Sequence, residues 1–406
     1  MSNVLLPAVA LAVFVVLFLP AVRNSPLWRA TVTPLASIIG SGFLISGPLL
    51  THIVAAWAPV AMFGILLVAF GIGAVIRFNI IRAEPLLAGA DRSVIVITLQ
   101  RVSDLALAFA YIASVAFYVH LLASFILRFG GYRDVVTENA LTTMVLLFIA
   151  IVGWLRGLGG LEKMEETAVA IKLAIIAALL IGLLGFDWHW LTNNESLINP
   201  NEDLTMLERA RLLAGLLLIV QGFETSRYLG NGYDASMRVR SMRLAQLIAG
   251  IIYMLFVILG LPLLLEFHGN ADETVIITLV GRVALILPAL LVLAAVMSQF
   301  SAAVADTVGA GGLFSELTGN RLSPRVGYVG LVLLAILLVW IGNVFEIITL
   351  ASRVFAGYYL LQCLVAMTVC IVDKTESTKR RMMRMILFSL MAMLLALVVI
   401  FATPVG

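Results

Sequence analysis

Charge is what this sequence has little of. Only 12% of its 406 residues are charged, against about 25% in soluble domains, while 62% are hydrophobic. A soluble fold of this size cannot hide that much apolar surface. The apolar runs extend for about 20 residues rather than alternating over about 10, which excludes an outer-membrane type of barrel and points to membrane-spanning helices. Cysteine is limited to Cys363 and Cys370. They lie two helical turns apart in one apolar segment, about 10 Å of rise, too far for a disulfide, and are expected to be packing residues. Histidine is scarce as well, and His52, His189 and His268 have no metal-like spacing with acids or cysteines. No metal and no cofactor is therefore expected. An intramembrane enzyme needs a paired acid and base or a His-rich cluster, and none is legible, so the chain is not read as an enzyme. A channel would want a ring of identical filter residues, which two dissimilar interruptions in one chain do not suggest. The net charge of +3 is too small to require a nucleic-acid partner. The leading apolar segment lacks a basic start and a clear cleavage site, so it is expected to be a retained helix.

What is present is an all-α integral membrane pattern of about twelve spans. They are predicted at 4–22, 31–52, 55–78, 97–127, 137–155, 164–186, 207–230, 241–265, 283–309, 326–341, 345–372 and 383–402. Alternate loops, around 23–29, 77–101, 156–163, 238–243, 321–325 and 374–384, hold 18 of the 26 basic residues. By the positive-inside rule these loops are cytoplasmic, and both termini are extracytoplasmic. The expected location is the cell membrane, of the bacterial inner type. Residues 187–206 form a polar, acidic outer loop (Asp187, Glu195, Glu202, Asp203) expected to cover a vestibule.

Two spans carry interruptions. In the second, Ile39-Gly40-Ser41-Gly42-Phe43 puts three small residues near mid-membrane. A break there frees amide N–H groups at the start of the following half-helix, which attract a carboxylate together with the helix dipole. Gly-Ser-Gly alone fits close helix packing equally. In the seventh, Gln221-Gly222-Phe223-Glu224 sets an acid at membrane depth, either as part of a functional site or as a structural pair with Arg227. Carbonyls unwound beside it could hold an ammonium group. The two interruptions occupy corresponding positions in two halves if the leading helix is set aside. That pairing points to a transporter with internal inverted repeats and a midplane site.

At these residues the sequence resembles the amino acid–polyamine–organocation (APC) superfamily, whose core is a five-plus-five inverted repeat with broken helices (the LeuT-like fold). Ile39–Phe43 looks like the family's first-helix motif and Gly222-Phe223-Glu224 like its sixth-helix motif. Asp234 falls near an acidic position common in relatives, and the loop ending Gly319-Asn320-Arg321-Leu322-Ser323-Pro324 resembles the one after the family's eighth helix. The resemblance implies an extra helix and loop at 1–30, a first repeat at 31–186, an outer loop at 187–206, a second repeat at 207–372, and a cytoplasmic loop with a last helix at 373–406. The single helix after the core departs from the family pattern, as does the extra one before it.

Lys172 lies inside an apolar span, about 12 Å from its cytoplasmic end. An ammonium there is costly unless paired or deprotonated, with snorkelling inward as the bland alternative. The resemblance implies that Lys172 replaces the sodium ion that relatives hold between the first and eighth core helices, with Ser298 and Ser301 as hydroxyl neighbours and Glu224 as a second proton-coupling group. Substrate would contact Ile39, Gly40, Ser41, Gly42, Tyr118, Gln221, Gly222 and Phe223. Arg353 would line an outer vestibule, and Asp306, near the inner end of its span, would face an exit path. Tyr118 and His120 point to different faces, and Tyr118 is favoured as pathway-lining. The expected function is secondary active transport of amino acids or related amines, proton-coupled or by exchange. The alternative is a sodium-coupled or non-amino-acid carrier, for a nucleobase or an organic cation, of the same fold. The expected partners are a small-molecule substrate, protons and the lipid bilayer. Oligomeric state is left open.

Overall fold

The computed structural model describes residues 4–40, 42–88, 93–131, 134–192, 204–230, 232–265, 275–342, 344–373, 375 and 377–401. Among them there are helices and no strands. The main helices are α1 (Leu5–Phe18), α2 (Pro26–Ile38), α3 (Gly42–Val54), α4 (Ala58–Phe78), α5 (Val94–Phe129), α6 (Val135–Thr192), α7 (Met206–Leu216), α8 (Ala235–Leu265), α9 (Leu287–Leu317), α10 (Pro324–Ile341), α11 (Val344–Val372) and α12 (Thr378–Phe401). Eight helical stretches among the described residues are long and apolar enough to cross a membrane. Two of these, of 46 and 52 residues, are far longer than the roughly 20 residues of a single crossing.

Local chemistry accounts for the helix ends. Ser25 caps α2 by accepting from the Trp28 N–H at 3.5 Å, with Pro26 in the first turn where its missing N–H costs nothing. Thr205 and Glu208 form a reciprocal capping box at α7. Asp234, which the resemblance set near an acidic family position, accepts from the Met237 N–H at 2.6 Å just ahead of α8. Inside α6, Gly157 adopts φ 60°, ψ −153°, a conformation glycine reaches without strain, and this bends the chain between arms 135–156 and 158–192. Residues 156–163, expected to be a loop, are therefore mostly the start of the second arm. That arm runs on to Thr192, into the expected outer loop. Residues 193–203 of that loop lie outside the described residues, and 204–206 lead into α7.

Packing follows the hydrophobic pattern turned outward. Phe63 and Leu67 of α4, Leu155 of α6 and Leu337 of α10 are exposed, as lipid-facing residues are. Buried polar groups include Lys172, Glu165, Glu224, Arg227 and Asp306. α5 packs on α9 and α11, α9 also on α6, and α8 on α2. The α2 end and the 223–228 segment touch one another and are both held by α8 and α9.

Gly222 sits at φ 113°, and a Cβ there would fall onto the Ser37 side chain. Gly222→Ala is expected to destabilise by about 3 kcal/mol, combining left-handed strain with overpacking. Gly330→Ala, whose methyl would meet nothing within 4 Å, is expected to be neutral or slightly stabilising. Thermal unfolding of the two variants in the same detergent measures the difference.

Candidate functional site

α2 stops short in the protein interior. It ends at Ile38, Ile39 turns out of helical geometry (φ −86°, ψ 56°), and α3 starts at Gly42. Ser41 lies outside the described residues. The stop leaves the last carbonyls of α2 without helical partners. Side chains from three helices supply the donors. The Lys172 ammonium, on the second arm of α6, donates to Ala36 O (2.9 Å), Ile39 O (2.7 Å) and the Ser301 hydroxyl of α9 (2.8 Å). Its three N–H groups thus meet three acceptors. The Ser298 hydroxyl, one turn earlier on α9, shares its proton between Ile39 O (2.5 Å) and Gly40 O (3.0 Å). The Tyr253 hydroxyl of α8 is 3.0 Å from Ile38 O and 3.1 Å from Ile219 O, so it joins the two interrupted segments. A cation at a helix C-terminus also complements the macrodipole.

The second interruption is built differently. α7 tightens into a 3₁₀ turn at Leu217–Val220, leaves it at Gln221–Gly222, and continues as a 3₁₀ turn over Phe223–Tyr228. Glu224 accepts from the Gly222 N–H at 3.0 Å and from the Tyr359 hydroxyl of α11 at 2.6 Å. Phe223 stacks on Tyr359 with ring centroids 5.5 Å apart. Arg227 does not take up Glu224. It bonds Gln362 and lies 3.6 Å from Glu84, which Arg238 clamps at 3.0 and 2.6 Å.

The two interruptions meet. Gly222 packs against Ser37, and Gly42 against Ile219, each so closely that a Cβ would not fit. Tyr118 on α5 lies over Gly40, within hydrogen-bonding reach of Gln221. His120, two residues on, turns instead to Glu138 at 3.6 Å. Ile39, Gly40, Gly42, Tyr118, Gln221, Gly222 and Phe223 are thereby brought to one place, as are Lys172, Ser298 and Ser301. Glu224 is held apart from Lys172, at the other interruption. Arg353 lies on α11 with its side chain exposed.

Sequence reasoning undervalued three residues. Asp306, expected at an inner exit path, is buried beside the α2 end, accepting from Ser37 (2.7 Å) and Ser114 (2.5 Å). Tyr253 and Tyr359 carry the hydroxyls that tie the interruptions down. Tyrosine in an apolar span is a weak signal, because it also packs there without a polar role. A cavity of about 240 Å³ opens elsewhere, between the α6 bend at Arg156 and Gly157, Tyr228, Gly312 and Arg325. Among the described residues no group of His, Cys, Asp and Glu is arranged to hold a metal ion.

A family model described as APC superfamily transporter matches residues 20–402. An uncharacterized protein of Aquifex aeolicus (strain VF5) is 45% identical over 394 residues, covering 95% of this chain and 93% of its own. The structure of a Na⁺-coupled sialic acid symporter, in a substrate-bound outward-open state, has a TM-score of 0.58 at 13% identity over 99% of this chain and 98% of its own. A mutant of the Eremococcus coleocola manganese transporter has a TM-score of 0.59 at 12% identity over 92% of this chain and 86% of its own. At such identities these two structures speak for a shared fold. The chain belongs to the APC superfamily of transporters, and its work is transport across a membrane rather than catalysis.

Proposed function

We propose that the protein is a secondary active transporter of amino acids or closely related amines, coupled to protons and working by alternating access. In this reading about twelve spans cross the cell membrane with both termini outside. Residues 31–186 and 207–372 form the two inverted five-helix repeats, preceded by an extra helix and followed by one more. α2 with α3, and α7 with the 223–228 turn, are then the first helices of the two repeats. The substrate carboxylate binds the amides that open α3 at Gly42, and its amine binds carbonyls around Gln221–Phe223. Tyr118 closes one side.

The observation that carries this reading is the Lys172 ammonium, which bridges the α2 carbonyls and Ser301. A cation between α2 and α9 occupies the position where the resemblance places sodium, and that favours a proton over a sodium ion as the driving species. Deprotonation removes one of three donors and leaves a buried carbonyl or hydroxyl unsatisfied, at a cost of about 1–3 kcal/mol. That cost is of the size needed to bias a two-state equilibrium, so losing the proton loosens the end of α2 and lets it move with the substrate.

Uptake of a panel of proteinogenic amino acids into proteoliposomes tests this reading. An imposed pH gradient is expected to drive uptake of at least one, and replacing sodium by potassium to leave it unchanged. Lys172→Ala is expected to abolish the response to the gradient. Ser301→Ala is expected to retain coupling with weaker transport, since a hydrogen bond to a charged group contributes about 1.5–3 kcal/mol. Normal proton coupling in Lys172→Ala, or uptake that requires sodium, overturns the assignment.

A further inference from the structure

Lys172 has no direct contact with water: it is wholly buried, and its three donors are taken up by protein acceptors. If it titrates, as the function proposed above requires and as this inference presupposes, its proton needs a path. One residue outside the features read from the sequence stands on that path. Glu165 lies seven residues before Lys172 on the second arm of α6, on the same face, about 10.5 Å lower along the axis. Side chains on a helix lean toward its N-terminus, so Lys172 reaches toward the turn that carries Glu165.

Glu165 is wholly buried. One carboxyl oxygen, Oε2, accepts from the Thr33 hydroxyl of α2 at 3.1 Å. The other, Oε1, is buried without a partner among the described residues. α2 serves as a ruler for the remaining gap. Thr33 meets Glu165 and Ala36 meets Lys172, and these two positions are about 4.5 Å apart in rise. The two groups are thus held less than one turn apart along α2, and the proton crosses the remaining gap through water. A purely structural acceptor for Thr33 would not need a carboxyl group, which is costly to bury at this depth.

The groups around Glu165 lead outward. On its own arm stand Lys172 above it, Glu162 one turn below it and Glu166 beside it on the neighbouring face. Thr33 and Arg29 face it from α2, Asp306 from α9, and Tyr233 from the segment before α8. Glu162 lies 3.5 Å from Arg29 and Glu166 3.0 Å from Arg23, and all four side chains reach the surface. This is the end of the bundle read as cytoplasmic.

We infer that Glu165 is the proton relay between Lys172 and the aqueous phase at the Arg23–Arg29 end. In the releasing step one of the three Lys172 hydrogen bonds opens toward water, that N–H bond breaks and its proton passes to the water. That water gives a proton to a Glu165 carboxylate oxygen. The ammonium becomes an amine and the carboxylate a carboxylic acid, so the pair neutralises without change in net charge. Glu165 then gives the proton up to water near Glu162.

The test uses the full-length protein in proteoliposomes with a trapped pH-sensitive dye and a mixture of the proteinogenic amino acids as probe. Glu165→Gln keeps the size of the side chain and an acceptor for Thr33. It is expected to slow substrate-driven proton movement by about 100-fold, the usual contribution of a positioned acid–base group, and to slow counterflow exchange far less. Glu165→Asp, which keeps an acid, is expected to restore much of the proton movement, and it serves as the decisive variant if the Gln form does not fold. Proton movement at the unmodified rate in Glu165→Gln, with Lys172→Ala uncoupled, overturns the relay alone. Absence of proton movement in the unmodified protein, or normal coupling in Lys172→Ala, overturns the proton reading and the relay with it.

Discussion

The unpaired carbonyls at the end of α2 are the constraint on which the centre of this protein depends. A helix that stops in apolar surroundings must find donors for its last turn or lose several kcal/mol for each polar group left bare. Here the donors are Lys172, Ser298 and Tyr253, contributed by three different helices. The interruption therefore cannot form without α6, α8 and α9 around it, and it draws those helices together. An ammonium is suited to this place because it offers three donors and a charge that matches the negative end of α2.

The second interruption solves the same problem from within. Glu224 folds back on the Gly222 N–H and is steadied by Tyr359, while the Thr225 hydroxyl donates to Gly222 O at 2.7 Å. Small residues then allow the two interruptions to touch. Gly222 against Ser37 and Gly42 against Ile219 leave no room for a side chain, so the unwound backbones lie side by side. The Tyr253 hydroxyl reaches across both.

Below this centre the buried charges fall into two groups with different characters. Arg227, Glu84, Arg238 and Gln362 form a closed set, in which the Glu84 carboxylate meets two guanidinium groups and Gln362 is bonded in turn by Asn79 at 2.8 Å. The charges of this set are paired, with Arg238 Nε and Asn79 Oδ1 left without partners among the described residues, and it fits holding helix ends together. Glu165 and its neighbours form an open series instead, with one carboxyl oxygen unpaired and two partly exposed acids, Glu162 and Glu166, nearby. The contrast between an acid paired with two guanidinium groups and an acid with an unpaired carboxyl oxygen is the physical basis for giving them different roles.

Much of the fold was legible because a bilayer permits few backbone solutions. Long apolar runs gave helix positions that agree with the structure to within about three residues at α4, α5, α10 and α11, while α8 and α12 start five or six residues earlier than expected and α9 ends eight later, and glycine clusters marked both interruptions. The α6 arms were expected as two helices with a loop between them. A single left-handed glycine does that turning, and periodicity does not register one residue. Lys172 stood out because a charge in an apolar span is rare, and its serine neighbours followed from the resemblance. Asp306 and Tyr253 were misjudged or passed over, since their partners are backbone and hydroxyl groups brought from helices remote in sequence. Glu165 escaped notice for a related reason: next to Glu162 and Glu166 it reads as one more acid in a solvated stretch. By itself the sequence determined that the chain is helical, membrane-embedded and interrupted at two glycine-rich points, because those properties depend on local composition and backbone chemistry. Only the tertiary structure decided which donor meets which bare carbonyl and which acid is sealed from water, because those depend on how separate helices turn their faces toward one another.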